Sequence, residues 1–338
     1  MPIRPFPARN ANRGKPFVSC QPVSAIPIRT VSLHQVHQAA AAVQVGPVQP
    51  VGIHNKGQEV LMDFFRNKSV LITGGSSGIG LALAKKLVKL NSHVTILSRQ
   101  KSLLENARNE LQQVNPNSDQ PVTLLQADVT EPSALNEILD SYIGLHGLPD
   151  IVINSAGVTH PGTFTTLKPE IFHWLMDVNY FGTVNVLQNI VPKMKSRRSG
   201  IVVNISSMAG FIGVYGYTAY SASKFAVTGF TDALRSELKP YNVQVSIVFP
   251  PDTQTPQLEY EKKFKPFITQ QVAGSASLMT ADAVAEEVLN KIARGRYIII
   301  PGTEGKLIYL AKNLTGRNFY PIIDMMVKGA IKKLRFGR

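Results

Sequence analysis

The chain has 338 residues, 44% of them hydrophobic, and a formal net charge of +14, which suits one large α/β domain with appended segments. It has a single cysteine, Cys20, so an intramolecular disulfide is excluded. Residues 1–58 carry six Lys or Arg and no acid, residues 306–338 carry eight against Asp324, and the 247 residues between them are near neutral. The central part therefore lacks the basic footprint of a nucleic-acid-binding domain.

Residues 1–61 differ in composition from the rest of the chain. They are rich in Pro, Gln, Val and Ala and lack an acid until Glu59, so we predict a disordered extension. Their arginines and missing acids also leave open a transit peptide that targets an organelle. A third alternative is a mis-assigned start, because Met62 begins MDFFRNKSVLITGG, a plausible start for a nucleotide-binding domain.

The stretch SVLITGGSSGIG, Ser69 to Gly80, predicts a strand that ends at Thr73, a glycine-rich turn and the start of an amphipathic helix. This order is typical of the first unit of a dinucleotide-binding sheet. Gly74 allows the tight turn, Gly78 lets the backbone approach a pyrophosphate, and Gly80 lets the helix pack on the strand. An anion would lie over free N–H groups at the positive end of the helix.

Short apolar strands alternate with helices along the rest of the chain. We predict strands at 93–99, 122–128, 150–157 with its turn, 200–207, 243–249 and 297–300, and helices at 101–113, 131–145, 170–195, 218–239 and 281–293. This pattern predicts the α/β class, with a Rossmann-type doubly wound parallel sheet of about seven strands. The domain would occupy 62–305. Residues 201–223 carry no charge, but their polar residues and strand-length apolar runs argue against a transmembrane helix.

The sequence YSASK places Tyr220 and Lys224 on one face of a helix, because residues i and i+4 are neighbours there. The lysine charge would favour the phenolate, whereas a free phenol titrates at about 10, too high for efficient acid–base work at neutral pH. Most Tyr and Lys residues at this spacing are simply surface residues. Here, however, Ser207 ends a predicted strand thirteen residues before Tyr220, and open α/β sheets bind ligands at the carboxyl ends of their strands. Asn179 and Asn154 lie in apolar surroundings and need partners; for Asn154 we favour a structural cross-bridge.

Together these residues resemble the short-chain dehydrogenase/reductase family over about residues 66–305. The resemblance is carried by TGGSSGIG (73–80), AD (127–128), NSAG (154–157), Asn179, SS (206–207) and YSASK (220–224), with NSAG departing from the usual NNAG. It implies that Tyr220 is the proton donor, that Lys224 lowers the pKa of Tyr220 and binds ribose, and that Ser207 holds the substrate oxygen. It also implies that Asn179 supports a proton-relay water and that Asp128 contacts the adenine.

The end of the second predicted strand bears on cofactor choice. Folds that prefer NAD place an acid there for the ribose 2′-hydroxyl, whereas this strand ends in Ser98-Arg99 with Lys101 nearby. An arginine suits a 2′-phosphate and Ser76 would assist it, so NADPH is the expected cofactor unless Arg99 points to solvent. The full set of expected cofactor-binding residues is Gly74, Ser76, Ser77, Gly78, Ile79, Gly80, Arg99, Asp128, Val129, Asn154, Tyr220, Lys224, Pro250 and Thr255. No cluster of metal ligands is found, because the seven histidines are scattered.

The loop FPPDTQTPQ (249–257) follows the sixth predicted strand. Most members of the family have Pro-Gly where this chain has Pro250-Pro251. The run P-P-D-T-x-T-P resembles the 3-ketodihydrosphingosine reductases within that family, which implies reduction of a long-chain 3-keto amine to sphinganine in sphingolipid biosynthesis. Gln257 departs from the usual Gly of that group. The prolines would stiffen the loop, and Thr255 can bond the nicotinamide amide or a phosphate.

Residues 306–338 contain Ile322, Met326, Ala330 and Leu334 at four-residue spacing among basic residues, which predicts a basic amphipathic helix. Two alternatives stay open: the helix contacts a membrane surface, or it covers the substrate pocket or a neighbouring subunit. No apolar run reaches the ~20 residues that a spanning helix needs.

These patterns predict an oxidoreductase that is cytoplasmic or on the cytoplasmic face of a membrane, the endoplasmic reticulum in a eukaryote. Its expected partner is a long-chain keto lipid substrate and not a nucleic acid, and a homo-oligomer is left open. The alternatives are a reductase of another lipid ketone or a retinoid, and a catalytically idle nucleotide-binding relative. The intact set of Ser207, Tyr220 and Lys224 argues against the idle relative.

Overall fold

The computed structural model describes residues 53–115, 121–273 and 278–336, so most of the predicted N-terminal extension lies outside the described residues. The strands are β1 (Ser69–Thr73), β2 (His93–Ser98), β3 (Thr123–Gln126), β4 (Ile151–Asn154), β5 (Gly200–Ile205), β6 (Val243–Val248), β7 (Thr253–Gln254), β8 (Met279–Thr280) and β9 (Ile298–Ile299). The α-helices are α1 (Ile53–Phe65), α2 (Gly78–Lys89), α3 (Lys101–Val114), α4 (Pro132–His146), α5 (Pro169–Met176), α6 (Gly182–Arg197), α7 (Thr218–Leu238), α8 (Pro256–Lys262), α9 (Phe267–Ala273), α10 (Ala281–Ala293), α11 (Thr303–Thr315) and α12 (Tyr320–Phe336).

In the described part of the chain, seven strands form one sheet in the order β3-β2-β1-β4-β5-β6-β9. Every neighbouring pair is parallel, with Leu71 of β1 in register with Thr95 of β2 and Val152 of β4. The strand order reverses between β1 and β4, which is the point where open α/β sheets bind ligands at the carboxyl ends of their strands. The predicted doubly wound parallel sheet is confirmed.

Both faces of this sheet are covered, because successive strand residues point to opposite sides. Val70 and Ile72 of β1 pack with α2, α3 and α10, whereas Leu71 packs with α4, α6 and α7. All three residues are fully buried. A strand that is buried on both faces needs an unbroken apolar run, which explains the VLI sequence ahead of the glycine-rich turn.

The structure differs from the predicted elements at three places. The expected boundary at residue 61 falls inside α1, and Leu61 and Phe64 pack against the core, so residues 53–61 are helical and not part of a disordered extension. The predicted helix 170–195 is divided by a π-helical turn, Asp177–Phe181. The C-terminal segment forms two helices, α11 and α12, joined by a 3₁₀ turn. None of the helices in the described ranges has the length and hydrophobicity needed to cross a bilayer.

Candidate active site

The turn between β1 and α2 has the shape that a dinucleotide phosphate requires. Gly74 adopts φ +66°, and a Cβ there would meet the backbone of Ala156 at 2.8 Å. A Cβ on Gly80 would collide with the carbonyl oxygen of Gly74. Ser77 precedes α2 in an extended conformation and its side chain makes no capping hydrogen bond. The backbone can therefore approach a pyrophosphate closely, over the first N–H groups of a helix, so the residues present fit a nicotinamide dinucleotide.

The end of β2 gathers the residues expected at the cofactor ribose. The Ser76 hydroxyl donates to Ser98 Oγ at 2.9 Å, and Arg99 Nη1 donates to Asp128 Oδ2 at 3.3 Å. Partial burial raises the pKa of Asp128, but hydrogen bonds from Thr130 and the charge of Arg99 outweigh it, so the pKa lies below its usual value. Asp128 is therefore an anion that holds Arg99 beside the end of β2.

Ser207, Tyr220 and Lys224 come together at the carboxyl end of β5. Ser207 follows this strand and its Oγ accepts from the N–H of Ala209 at 3.1 Å, which starts a 3₁₀ turn. Tyr220 and Lys224 lie one turn apart on α7 and are both buried. The side chains of Ser207 and Gln257 lie near the Tyr220 phenol and act to lower its pKa. The predicted trio thus forms one site, with Lys224 Nζ 5.8 Å from the centre of the Tyr220 ring.

The pKa of Tyr220 lies above its usual 10 in this structure, opposite to the predicted lowering by Lys224. Burial is the main cause and the Glu261 carboxylate adds to it, against the nearby side chains of Ser207 and Gln257. Lys224 does not offset them, because burial lowers its own pKa to about 8 and its Nζ donates to the Ile205 carbonyl at 3.0 Å. The lowering of the Tyr220 pKa by Lys224 stays a prediction.

Asn179 and Asn154 do not line the cavity beside Tyr220. Asn179 lies in the π-helical turn, and its side chain accepts from Val158 N at 2.7 Å and donates to Val158 O at 3.0 Å. The amide therefore clamps the loop after β4, and its expected support of a proton-relay water stays a prediction. Asn154 donates to Asn204 Oδ1 at 2.9 Å, from β4 to β5. Its side chain thus bridges two strands, as the cross-bridge interpretation expected, and its contact with the cofactor stays a prediction.

A cavity of about 600 Å³ extends from this site, a size typical of small-molecule pockets. Its polar end is formed by Gly74, Ser77, Gly78 and Ile79 together with Ser207, Tyr220, Lys224, Pro250 and Thr255. Its other end is formed by apolar side chains of α11, the following turn and α12, among them Leu307, Phe319, Ile322 and Met326. The C-terminal segment therefore covers the pocket with one face, which was one of the two alternatives. Gly80, Ser76, Arg99, Asp128 and Val129 lie outside the lining of this cavity.

An acidic group that the sequence did not single out lies beside the predicted proton donor, Tyr220. Glu261 of α8 is 6% exposed and its Oε2 accepts from the Tyr217 hydroxyl at 2.5 Å. Lys265 Nζ lies 3.1 Å from Asp252 Oδ2 and 3.6 Å from Glu261 Oε2. Within the described residues, no group of three or more His, Cys, Asp or Glu side chains is arranged to hold a metal ion. The sequence offered only the Asp in the PPDTQT loop as a sign of this cluster.

Comparison with known proteins agrees with this site. The profile of the family described as short chain dehydrogenase matches residues 68–265, so the chain belongs to the short-chain dehydrogenase family and is an oxidoreductase of the keto/CH–OH type. It is 36% identical to a 3-ketodihydrosphingosine reductase of Bos taurus over 247 residues, which cover 73% of this chain and 74% of that protein. It is 35% identical to a 3-dehydrosphinganine reductase of Danio rerio over 240 residues, which cover 71% and 72%.

Among solved structures, one described as ElxO with NADP bound matches with a TM-score of 0.60 and 26% sequence identity. The match covers 70% of this chain and 97% of that one. The predicted family is confirmed.

Proposed function

We propose that this protein uses NADPH to reduce 3-ketodihydrosphingosine to sphinganine. The observation that carries the proposal is a cavity with two unlike ends, which holds Ser207, Tyr220 and Lys224 at one end and apolar side chains of α11 and α12 at the other. Relatives that are named for this reaction and cover more than 70% of this chain support it.

The protein groups act on the ketone oxygen. The reduced nicotinamide, when bound, supplies the hydride. Tyr220 is protonated at neutral pH and donates its proton to the oxygen as negative charge develops there; its raised pKa makes the phenol a weaker acid before the charge develops. Ser207 donates a hydrogen bond to the same oxygen and orients it. Lys224, held by the Ile205 carbonyl, is the group that would bind the ribose.

The preference for NADPH is supported by the residues at the end of β2. A guanidinium binds a phosphate through charge-assisted hydrogen bonds, and the side chain of Arg99 is 64% exposed, so it can turn to a ligand. Ser76 and Ser98 add two hydroxyls beside it. No carboxylate ends this strand, whereas an acid there would favour a free ribose hydroxyl.

The apolar end of the cavity favours a substrate with a long hydrocarbon chain. Each buried CH₂ group contributes about 0.8 kcal/mol, so a lipid ketone gains affinity from this wall that a small polar ketone cannot.

The same helices support a further proposal, that the enzyme works at the surface of a membrane, on its cytoplasmic face. Leu314 of α11 and Met325 of α12 are 77% and 71% exposed, and basic residues follow on α12, among them Lys332 and Lys333, as in helices that bind anionic bilayers.

The proposal is tested by incubating the purified protein with NADPH and a panel of ketones and following nicotinamide oxidation. We expect turnover of 3-ketodihydrosphingosine, and a loss of ~10²-fold or more in Tyr220→Phe with NADPH binding retained. Tyr241→Phe is the matched control, because Tyr241 is a partly buried tyrosine that packs against the core and does not line the cavity. Turnover of a retinoid or another lipid ketone in place of the amino ketone would assign that alternative. Full activity of Tyr220→Phe would refute the mechanism.

A further inference from the structure

We infer that Glu261, together with Asp252, binds the ammonium group of the substrate and thereby selects amino ketones over ketones that lack this charge. The inference rests on the proposed function, because it assigns a site to one group of the proposed substrate. It adds a specificity-determining residue to a reaction that Ser207 and Tyr220 already account for.

The position of Glu261 suits this role. Its carboxylate lines the cavity and is held by the Tyr217 hydroxyl at 2.5 Å. The Tyr217 and Tyr220 rings lie side by side, with their centres 5.7 Å apart. In the proposed substrate the amine is on the carbon next to the ketone carbon. A group that binds this amine must therefore lie beside the residue that protonates the ketone oxygen, and Glu261 does.

Within the part of the chain that the structure describes, the charges around Glu261 leave one negative charge without a cation. Lys265 is the ammonium group placed between the two carboxylates, 3.1 Å from Asp252 and 3.6 Å from Glu261. The side chains of Lys265 and Glu261 are only 9% and 8% exposed, whereas that of Asp252 is 37% exposed and reaches solvent, so Glu261 is the carboxylate that solvent compensates little. A buried charge that lacks a partner is costly, and a substrate ammonium would neutralise it. Burial raises the pKa of Glu261 and the charge of Asp252 adds to it, while Tyr217 and Lys265 act in the other direction.

Most of the other charged side chains that line the cavity are negative, as Glu261 is. Among the described residues that line the cavity, Asp252, Glu261 and Glu304 are acidic, whereas Lys224 is the one lysine and no arginine is present. Lys224 donates one hydrogen bond to the Ile205 carbonyl, and its single positive charge does not balance the three carboxylates. The polar end of the cavity is therefore complementary to a cation, while the apolar end is complementary to a chain. An amphiphile with a positive head fits both.

The test compares two substrates of equal chain length, 3-ketodihydrosphingosine and the same ketone with hydrogen in place of the amine. We expect Glu261→Gln to lower kcat/KM for the amino ketone at least about tenfold, mainly through KM, and to leave the other ketone within about twofold. The amide keeps an oxygen for the Tyr217 hydroxyl, so the packing is preserved. Glu259→Gln is the control, because Glu259 is an exposed residue of the same helix that pairs with Lys262; it should change neither value.

An equal loss on both substrates would overturn the inference, since a merely structural role of Glu261 predicts that result. So would an unchanged ratio of the two kcat/KM values. A second measurement needs no variant: the native enzyme should favour the amino ketone by about tenfold or more in kcat/KM, and equal values would refute the subsite. Absence of any turnover of the amino ketone by the native enzyme would instead contradict the proposed function, so the two failures are distinguishable.

Discussion

Replacing Arg99 by Gln is expected to weaken NADPH binding about 10- to 30-fold and to leave NADH within about twofold. A hydrogen bond to a charged group contributes about 1.5–3 kcal/mol, and the lower part of that range applies because the Arg99 side chain is 64% exposed. Each 1.4 kcal/mol corresponds to about tenfold in Kd. Loss of the exposed pair between Arg99 and Asp128 contributes little to stability, so the variant should fold normally. Titration of both reduced nucleotides, followed by nicotinamide fluorescence, measures the two Kd values.

Lys101→Gln is the matched control for this experiment. Lys101 begins α3, two residues beyond Arg99, and is exposed, so its loss lowers the local positive charge by the same amount. We expect its effect on NADPH to stay below threefold. If the two variants weakened NADPH equally, general electrostatic attraction and not a specific contact would explain the preference. Equal weakening of NADPH and NADH by Arg99→Gln would refute the assignment of Arg99 to the 2′-phosphate.

Three more results are expected. The pKa of Lys224 is about 8 in the folded protein against 10.5 when free, so its ammonium destabilises the fold fully below pH 8 and progressively less up to about pH 10.5. Lys224→Met should therefore raise the free energy of unfolding at pH 7 by about 2 kcal/mol and abolish activity. Urea unfolding at pH 7 that shows no gain in stability would contradict this. Asn154→Ala should cost about 1–3 kcal/mol in the same assay, because Asn204 Oδ1 loses its donor while Asn204 still donates to Thr231. The Kd of NADPH should stay within about twofold, and a large rise in Kd would support the predicted cofactor role of Asn154. Leu314→Glu should weaken binding to anionic vesicles about tenfold. Leu145→Glu is the control, because Leu145 is a leucine of α4 that is 79% exposed, and it should leave vesicle binding unchanged. Equal weakening by the two variants would argue against a membrane-facing surface on α11 and α12.

The sheet and its reacting residues could be predicted because their determinants are local. The apolar run before Gly74 and the four-residue spacing of Tyr220 and Lys224 each specify their own element. Asn154 could be assigned to a cross-bridge because a polar residue on a buried strand needs a partner within the sheet, and the structure supplies Asn204.

The remaining features depend on contacts between distant parts of the chain. Glu261 gains its place from Tyr217, 44 residues earlier, so nothing in its own neighbourhood distinguishes it from a surface glutamate. The π-helical turn around Asn179 adds a single residue to one helical turn, which does not interrupt the apolar pattern enough to be noticed. The raised pKa of Tyr220 follows from burial and Glu261, and neither can be inferred from the YSASK motif.

The two ends of the cavity come from separate stretches of the chain. The reacting groups lie within residues 68–265, the part that the family profile matches, whereas much of the apolar wall comes from residues after Thr303. Substitutions in α11 and α12 can therefore reshape the apolar end of the cavity without moving Tyr220. For the proposed lipid substrate, this separation lets chain-length selectivity evolve independently of catalysis, and exchange of the C-terminal helices between relatives becomes a route to enzymes with new chain-length preferences.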